Sequence, residues 1–270
     1  MNEIAWLMAG LIAAGLFAGL IGGLFGVGGG VVIVPALYVL FGAIGVPEEV
    51  RMHVCVATSI STIIATSWRS LSTHAKAGAV DFAVLRAWTP WIAAGAALGA
   101  LSAHFMNTET LIIVFGVGLL LIALQMGFGR SDWRIANDLP TGAVRAAVAS
   151  AIGFLSALMG IGGGAFGVTL MTFCGRPMHQ SVATASGFGA AIALPATLGF
   201  IISGWGRVSA PLGTIGYVNL PGFIVLALLT AITAPIGARL AHRLDQRVLR
   251  RCFAVFLAIT ALNMLRSAFT

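Results

Sequence analysis

Apolar stretches of about 20 residues follow one another along nearly the whole chain, and a helix of that length crosses a ~30 Å hydrocarbon core. That pattern leaves no stretch for a water-soluble domain. A soluble domain carries roughly 25% charged residues because its surface must be hydrated, whereas only 9% of these 270 residues are charged and 59% are hydrophobic. The expected fold is an all-α integral membrane protein. The net charge of +7 comes from 14 arginines and one lysine scattered between apolar segments. No basic face forms, so nucleic acid is not an expected partner.

Runs bounded by charge, proline or glycine clusters predict ten helical segments, at 4–25, 30–45, 52–73, 83–104, 109–127, 143–160, 164–175, 179–203, 220–242 and 248–267. Eight are long enough to span. The other two, 30–45 and 164–175, are short, and each follows directly on a glycine cluster, as broken membrane helices do. The amino terminus, MNEIAW, has an acid and no basic n-region, so the first run is expected to stay as a span. Cys55, Cys174 and Cys252 lie far apart, without CxxC or metal-ligand spacing, and read as small apolar helix residues. Trp6, Trp68, Trp88, Trp91 and Trp205 fall near segment ends, where tryptophans anchor at the membrane interface.

The glycine clusters belong to a larger repeat. GVGGGVVIVPAL (26–37) corresponds to GIGGGAFGVTLM (160–171), HVCVATS (53–59) to HQSVATA (179–185), and GAVD (78–81) to GYVN (216–219). Gly99 and His104 likewise fall opposite Gly237 and His242. Two homologous five-segment halves, 1–128 and 143–270, are therefore expected, joined by a cytoplasmic linker at 129–142. Basic residues set the orientation. With the amino terminus outside, inner connections hold Arg69, Lys76, Arg86, Arg130, Arg134, Arg145, Arg176, Arg239, Arg243, Arg247, Arg250 and Arg251, against Arg51, Arg207 and Arg266 outside. Twelve against three places both termini outside. Because five is odd, the second half enters the membrane upside down, and inverted repeats are typical of alternating-access transporters.

Glycine disfavours helix by about 1 kcal/mol relative to alanine, so a cluster inside an apolar run needs a reason. For Gly15, Gly19 and Gly23, spaced by four, close helix packing suffices. Gly28, Gly29 and Gly30, with Gly162, Gly163 and Gly164, interrupt the helix and free N–H groups at the start of the next one, where the helix dipole favours an anion; tight packing is the alternative. GVGGGV has neither GxGxxG nor GxxxxGK[ST] spacing, so a nucleotide loop is not expected. Cys55, Thr58, Ser59, Thr62, Thr66, Arg69 and Thr73 recur at three- and four-residue steps in the third segment. Their hydroxyls could meet a solute or bond to backbone and neighbouring helices. Thr58 and Ser59 have near counterparts in Thr184 and Ser186 of the second half. Pro35 and Pro195 are expected to kink their helices.

All eight acids lie near segment ends or in connections. A mid-membrane cation site or aspartyl dyad is therefore unsupported, and a site of N–H groups, hydroxyls and Arg69 suits an anion better. His53 and His179 occupy matching positions where they could carry coupling protons, although an interfacial role is the alternative. No metal site, cofactor or activated nucleophile is legible, and no enzymatic activity is expected.

The run LFGVGGGVVIVPAL (24–37), the repeated GIGGG (160–164) and the VATS and VATAS stretches (56–59 and 182–186) resemble the TauE/SafE family of membrane permeases, the sulfite exporter or toluene-sulfonate uptake family. The likeness spans nearly all of the chain. It implies two repeated halves, a bacterial inner membrane, and sulfur-containing anions such as sulfite and organosulfonates as cargo. By position, it points to Gly26, Gly28, Gly29, Gly30 and Pro35, with Thr58 and Ser59 after them. The second half departs from the pattern, with Thr169 opposite Pro35 and Ala185 opposite Ser59.

The expected function is thus a secondary permease for a small anion, sulfite or an organosulfonate, with substrate contacts from both glycine motifs (Gly26 to Gly30 and Gly160 to Gly164) and the polar helices. Export is favoured, since a negative-inside potential drives an anion outward by about 2.3 kcal/mol per charge per 100 mV. The alternative is an anion channel without alternating closure. Expected partners are the small anion and the lipid bilayer, with a homodimer left open.

Overall fold

The computed structural model describes residues 2–25, 28–128, 136, 138–206, 211–240 and 246–269. Among them are ten α-helices: α1 (Asn2–Phe25), α2 (Gly30–Ala43), α3 (Glu48–Lys76), α4 (Phe82–Ser102), α5 (Thr108–Phe128), α6 (Gly142–Met159), α7 (Gly164–Phe173), α8 (Met178–Ser203), α9 (Leu220–Leu240) and α10 (Gln246–Ser267). Six of these, α1, α3, α5, α6, α8 and α9, are both long and apolar enough to cross a membrane, and α2 and α7 are the two short apolar helices. The remaining two, α4 with 21 residues and α10 with 22, have spanning length but carry arginines. The fold is an all-α membrane protein. Sequence reading missed a 3-10 turn, Ala103–Phe105, and a two-stranded hairpin between α8 and α9 that pairs Thr214 with Asn219 and Ile215 with Val218.

Helix starts follow from local chemistry. Asp81 caps α4 by accepting N–H bonds from Ala83 and Val84. Pro47 and Pro177 precede α3 and α8 with φ near −55°, where the missing N–H costs nothing. α6 ends on Gly160 in the left-handed region (φ +64°), whose N–H returns to the Ala157 carbonyl while that of Ile161 reaches Ser156. Pro35 and Pro195 lie inside α2 and α8.

The helix pairings have a simple order. α1 packs on α9 and α6 on α4; α2 packs on α3 and α7 on α8; α9 lies against α3 and α4 against α8; α3 crosses α8, and α5 pairs with α10. Exchanging each helix of 1–5 with the helix five later reproduces these pairs. Glycines permit the closest crossings. A side chain on Gly19 would strike the Thr230 backbone, and on Gly237 that of Leu20, which fixes α1 against α9; on Gly153 it would strike Ile92, and on Gly99 Phe154, which fixes α6 against α4. The packing reading of Gly15, Gly19 and Gly23 matches their neighbours Leu229, Thr230 and Ala234.

Hydrogen bonds gather the connections at two opposite ends. At one, Thr108 donates to the Glu48 and Glu49 carbonyls, and His53 and His104 reach the carbonyls of Met106 and Ser203. At the other, the Asp81 N–H reaches Thr184, and the Ala136 N–H reaches the Phe173 carbonyl. α3 lies at the centre and is the most buried of the six spans. Trp68, Trp91 and Trp205 are exposed as interface anchors should be, but Trp88 is buried at 2% exposure and stacks on Phe188. An end-of-segment position alone does not reveal a neighbour in another helix.

Candidate functional site

The two glycine breaks meet at the molecular centre. α2 begins after Gly29 (φ +76°) and α7 after Gly163 (φ +66°), both in the left-handed region that glycine adopts without strain. A side chain on Gly30 would strike the Gly160 carbonyl, and one on Gly28 would lie 3.4 Å from the Gly162 α-carbon. The amino termini of two helices, of 14 and 10 residues, therefore converge from opposite halves of the chain. Their dipoles both turn positive ends toward this region. Gly26 lies outside the described residues.

α3 and α8 clamp the breaks. Ser59 donates to the Gly160 carbonyl at 2.9 Å, fastening α3 to the second break. One residue earlier, Thr58 accepts the Asn219 N–H at 3.0 Å; in the other half, Thr184 accepts the Asp81 N–H at 2.9 Å. The two bonds are counterparts, because VATS matches VATA and GAVD matches GYVN. Asn219 in turn caps α9 through Gly222, as Asp81 caps α4. Arg176 lies 3.9 Å from the Asp81 carboxylate, a partly exposed pair that solvent screens. Thr62 donates to Ser59, Thr66 to Thr62 and Thr230, and Ser186 to Ala183.

Beside the first break lies a narrow crevice, too tight in this conformation to admit a water molecule, lined by Gly22, Gly28, Thr66, Ser67, Ser70 and Ser186. Every one of these is a glycine or bears a hydroxyl, and all three serines are buried. Ser67 and Ser70 were not singled out from the sequence, which gave the face running through Arg69. Their signal was the run of hydroxyls in ATSWRSLST, which continues past that face. Thr66 and Ser186 are brought together with Gly28. Arg69 is not, since it is exposed on the outside of α3 next to exposed Trp68. Gly163 packs instead against Ile192 and Ser156.

The two matched histidines have different surroundings. His53 is buried, its Nε2 3.1 and 3.0 Å from the carbonyls of Ala103 and Met106 and its ring stacked on Tyr217. His179 is exposed. Among the described residues, no group of three His, Cys, Asp or Glu side chains is placed to hold a metal ion.

Residues 11–264 match the family described as sulfite exporter TauE/SafE. A probable membrane transporter protein of Haemophilus influenzae is 30% identical over 240 residues, covering 89% of this chain and 91% of the relative. Another, from Methanocaldococcus jannaschii, is 26% identical over 272 residues and 97% of each chain. No solved structure matches the chain significantly. Matched from near one end to the other, and built of apolar spans around two glycine breaks, the chain is a multi-pass membrane transporter that belongs to the sulfite exporter TauE/SafE family.

Proposed function

We propose that this protein is a secondary permease that exports a small anion, sulfite or an organosulfonate, by alternating access, and is not an enzyme. The observation that carries the reading is the convergence of two helix amino termini, after Gly29 and Gly163, beside a crevice of hydroxyls. Positive dipole ends and hydroxyl donors favour an anion where lipid excludes water. The family's description and the names of the relatives support the same reading.

The moving parts in this proposal are the halves 1–128 and 143–270, inserted in opposite senses and joined by 129–142. Two features support it: the helix pairings that survive a five-helix exchange, and the matched bonds of Thr58 and Thr184. The close seating of Gly30 on Gly160 favours a carrier, which must move to admit its cargo, over an open anion channel. The twelve-to-three distribution of basic residues supports both termini outside, and the family likeness supports an inner membrane. Solute contacts are assigned to the two breaks and the polar residues of α3 and α8, with Pro35 and Pro195 as flexible points. Any proton coupling falls to His53 or His179.

A panel of anions tested for thermal stabilisation of the purified protein checks the reading, since a ligand that binds the folded state raises its melting temperature. Sulfite or a small sulfonate should stabilise in a saturable way, and chloride and acetate should not. Stabilisation by cations or neutral solutes alone would remove the anion from the account.

A further inference from the structure

Ser70 sits in the crevice with its hydroxyl oxygen buried and without a hydrogen-bond partner among the described residues. Burying a hydroxyl unpaired is unfavourable, so a retained orphan calls for a partner that comes and goes. The other hydroxyls with described bonds are already engaged: Thr66 with Thr62 and Thr230, and Ser186 with Ala183. The Ser70 proton is free to turn toward a ligand. Ser67, three residues earlier and 4% exposed, shares the lining.

Size and charge narrow the ligand. In this conformation the crevice has no room for even one water molecule, so it must widen to admit any solute. A site that opens from so tight a seat suits a compact oxyanion better than an aromatic sulfonate. The described lining carries no ionisable side chain, and Arg69 lies on the outer surface of α3. Resting on the permease reading, we infer that Ser70, with Ser67 beside it, is a ligand of the solute, and that the crevice takes a compact oxyanion held by neutral donors, so that each turnover carries the anion's own charge across the membrane.

The test is sulfite-jump electrophysiology on proteoliposomes, run beside radiolabelled sulfite uptake, for wild type, Ser70→Ala and, as a control, Ser72→Ala, which is exposed on the same helix. Wild type should give a saturable current of the sign of the moving anion. Ser70→Ala should raise the half-saturating sulfite concentration at least fivefold with a nearly unchanged maximal current, while Ser72→Ala stays within twofold. The anion-free melting temperature of Ser70→Ala should hold or rise, because the substitution removes an orphan; a serine that merely supports the fold would lower it. Half-saturation within twofold of wild type in Ser70→Ala overturns the ligand assignment, and labelled uptake without current overturns the charge assignment. Neither uptake nor current for any oxyanion in wild type sinks the permease reading itself, and this site with it.

Discussion

Ser59 donates its hydroxyl to the carbonyl oxygen of Gly160, 2.9 Å away and 101 residues along the chain. The helix that ends at Met159 leaves its last carbonyls without intrahelical partners, and α3 supplies one of them. The same carbonyl is the atom a side chain on Gly30 would strike. One oxygen therefore receives a bond from α3 and sets the closest approach of α2. Any motion that separates the halves at this point must break the Ser59 bond.

Ser59→Ala should destabilise the protein by about 1 kcal/mol, since a buried hydrogen bond is lost and Gly160 keeps an unpaired acceptor. Gly30→Val should do more, because the breaks can no longer close on each other. Melting in detergent and labelled-sulfite flux check both: Ser59→Ala should transport measurably, whereas Gly30→Val should insert but not transport. Wild-type flux in Gly30→Val would show that contact of the breaks is not required.

The matched threonines make a paired comparison. Thr58→Val leaves the buried Asn219 N–H without its acceptor, at a cost of about 1–3 kcal/mol. Thr184→Val does the same at Asp81, which is only half-buried, so water can replace part of the bond and the loss should be smaller. Thr58→Ser and Thr184→Ser should restore each. Equal melting temperatures for Thr58→Val and wild type would mean that the bond contributes nothing.

Much of this was legible in the sequence, for physical reasons that also mark where legibility stops. Apolar runs located all ten helices to within a few residues, because lipid forces every backbone group into a helix. The largest shift is at α3, which starts at Glu48 rather than 52, carried outward by Pro47 and two acids in its first turn. The hairpin at 214–219 is too short to leave a pattern. The polar face of α3 was misplaced for another reason. Residues 52 to 63 are buried on every side, so no stripe distinguishes one face from another. Only beyond Ile64 does one side open, and there Arg69 is exposed while Ser67 and Ser70 stay inside. His53 and His179 teach the same lesson, since equivalence in a repeat fixes position along a helix and not the neighbours around it.

Orientation is open to labelling. Ile44 and Ala77 are exposed at opposite ends of α3. In intact cells, a membrane-impermeant maleimide should modify Ile44→Cys and spare Ala77→Cys, with both made in a background lacking exposed Cys252. The reverse pattern would invert the topology and place the arginine-rich connections outside.

The most direct measurement of the central claim is counterflow: uptake of labelled sulfite into proteoliposomes preloaded with unlabelled sulfite, for wild type and Gly163→Leu. Closure of two halves around the glycine breaks predicts that internal sulfite accelerates uptake severalfold in wild type and that the variant inserts yet shows no exchange. Uptake in wild type that is indifferent to internal sulfite, at a conductance beyond carrier turnover, or full exchange in Gly163→Leu, would contradict it.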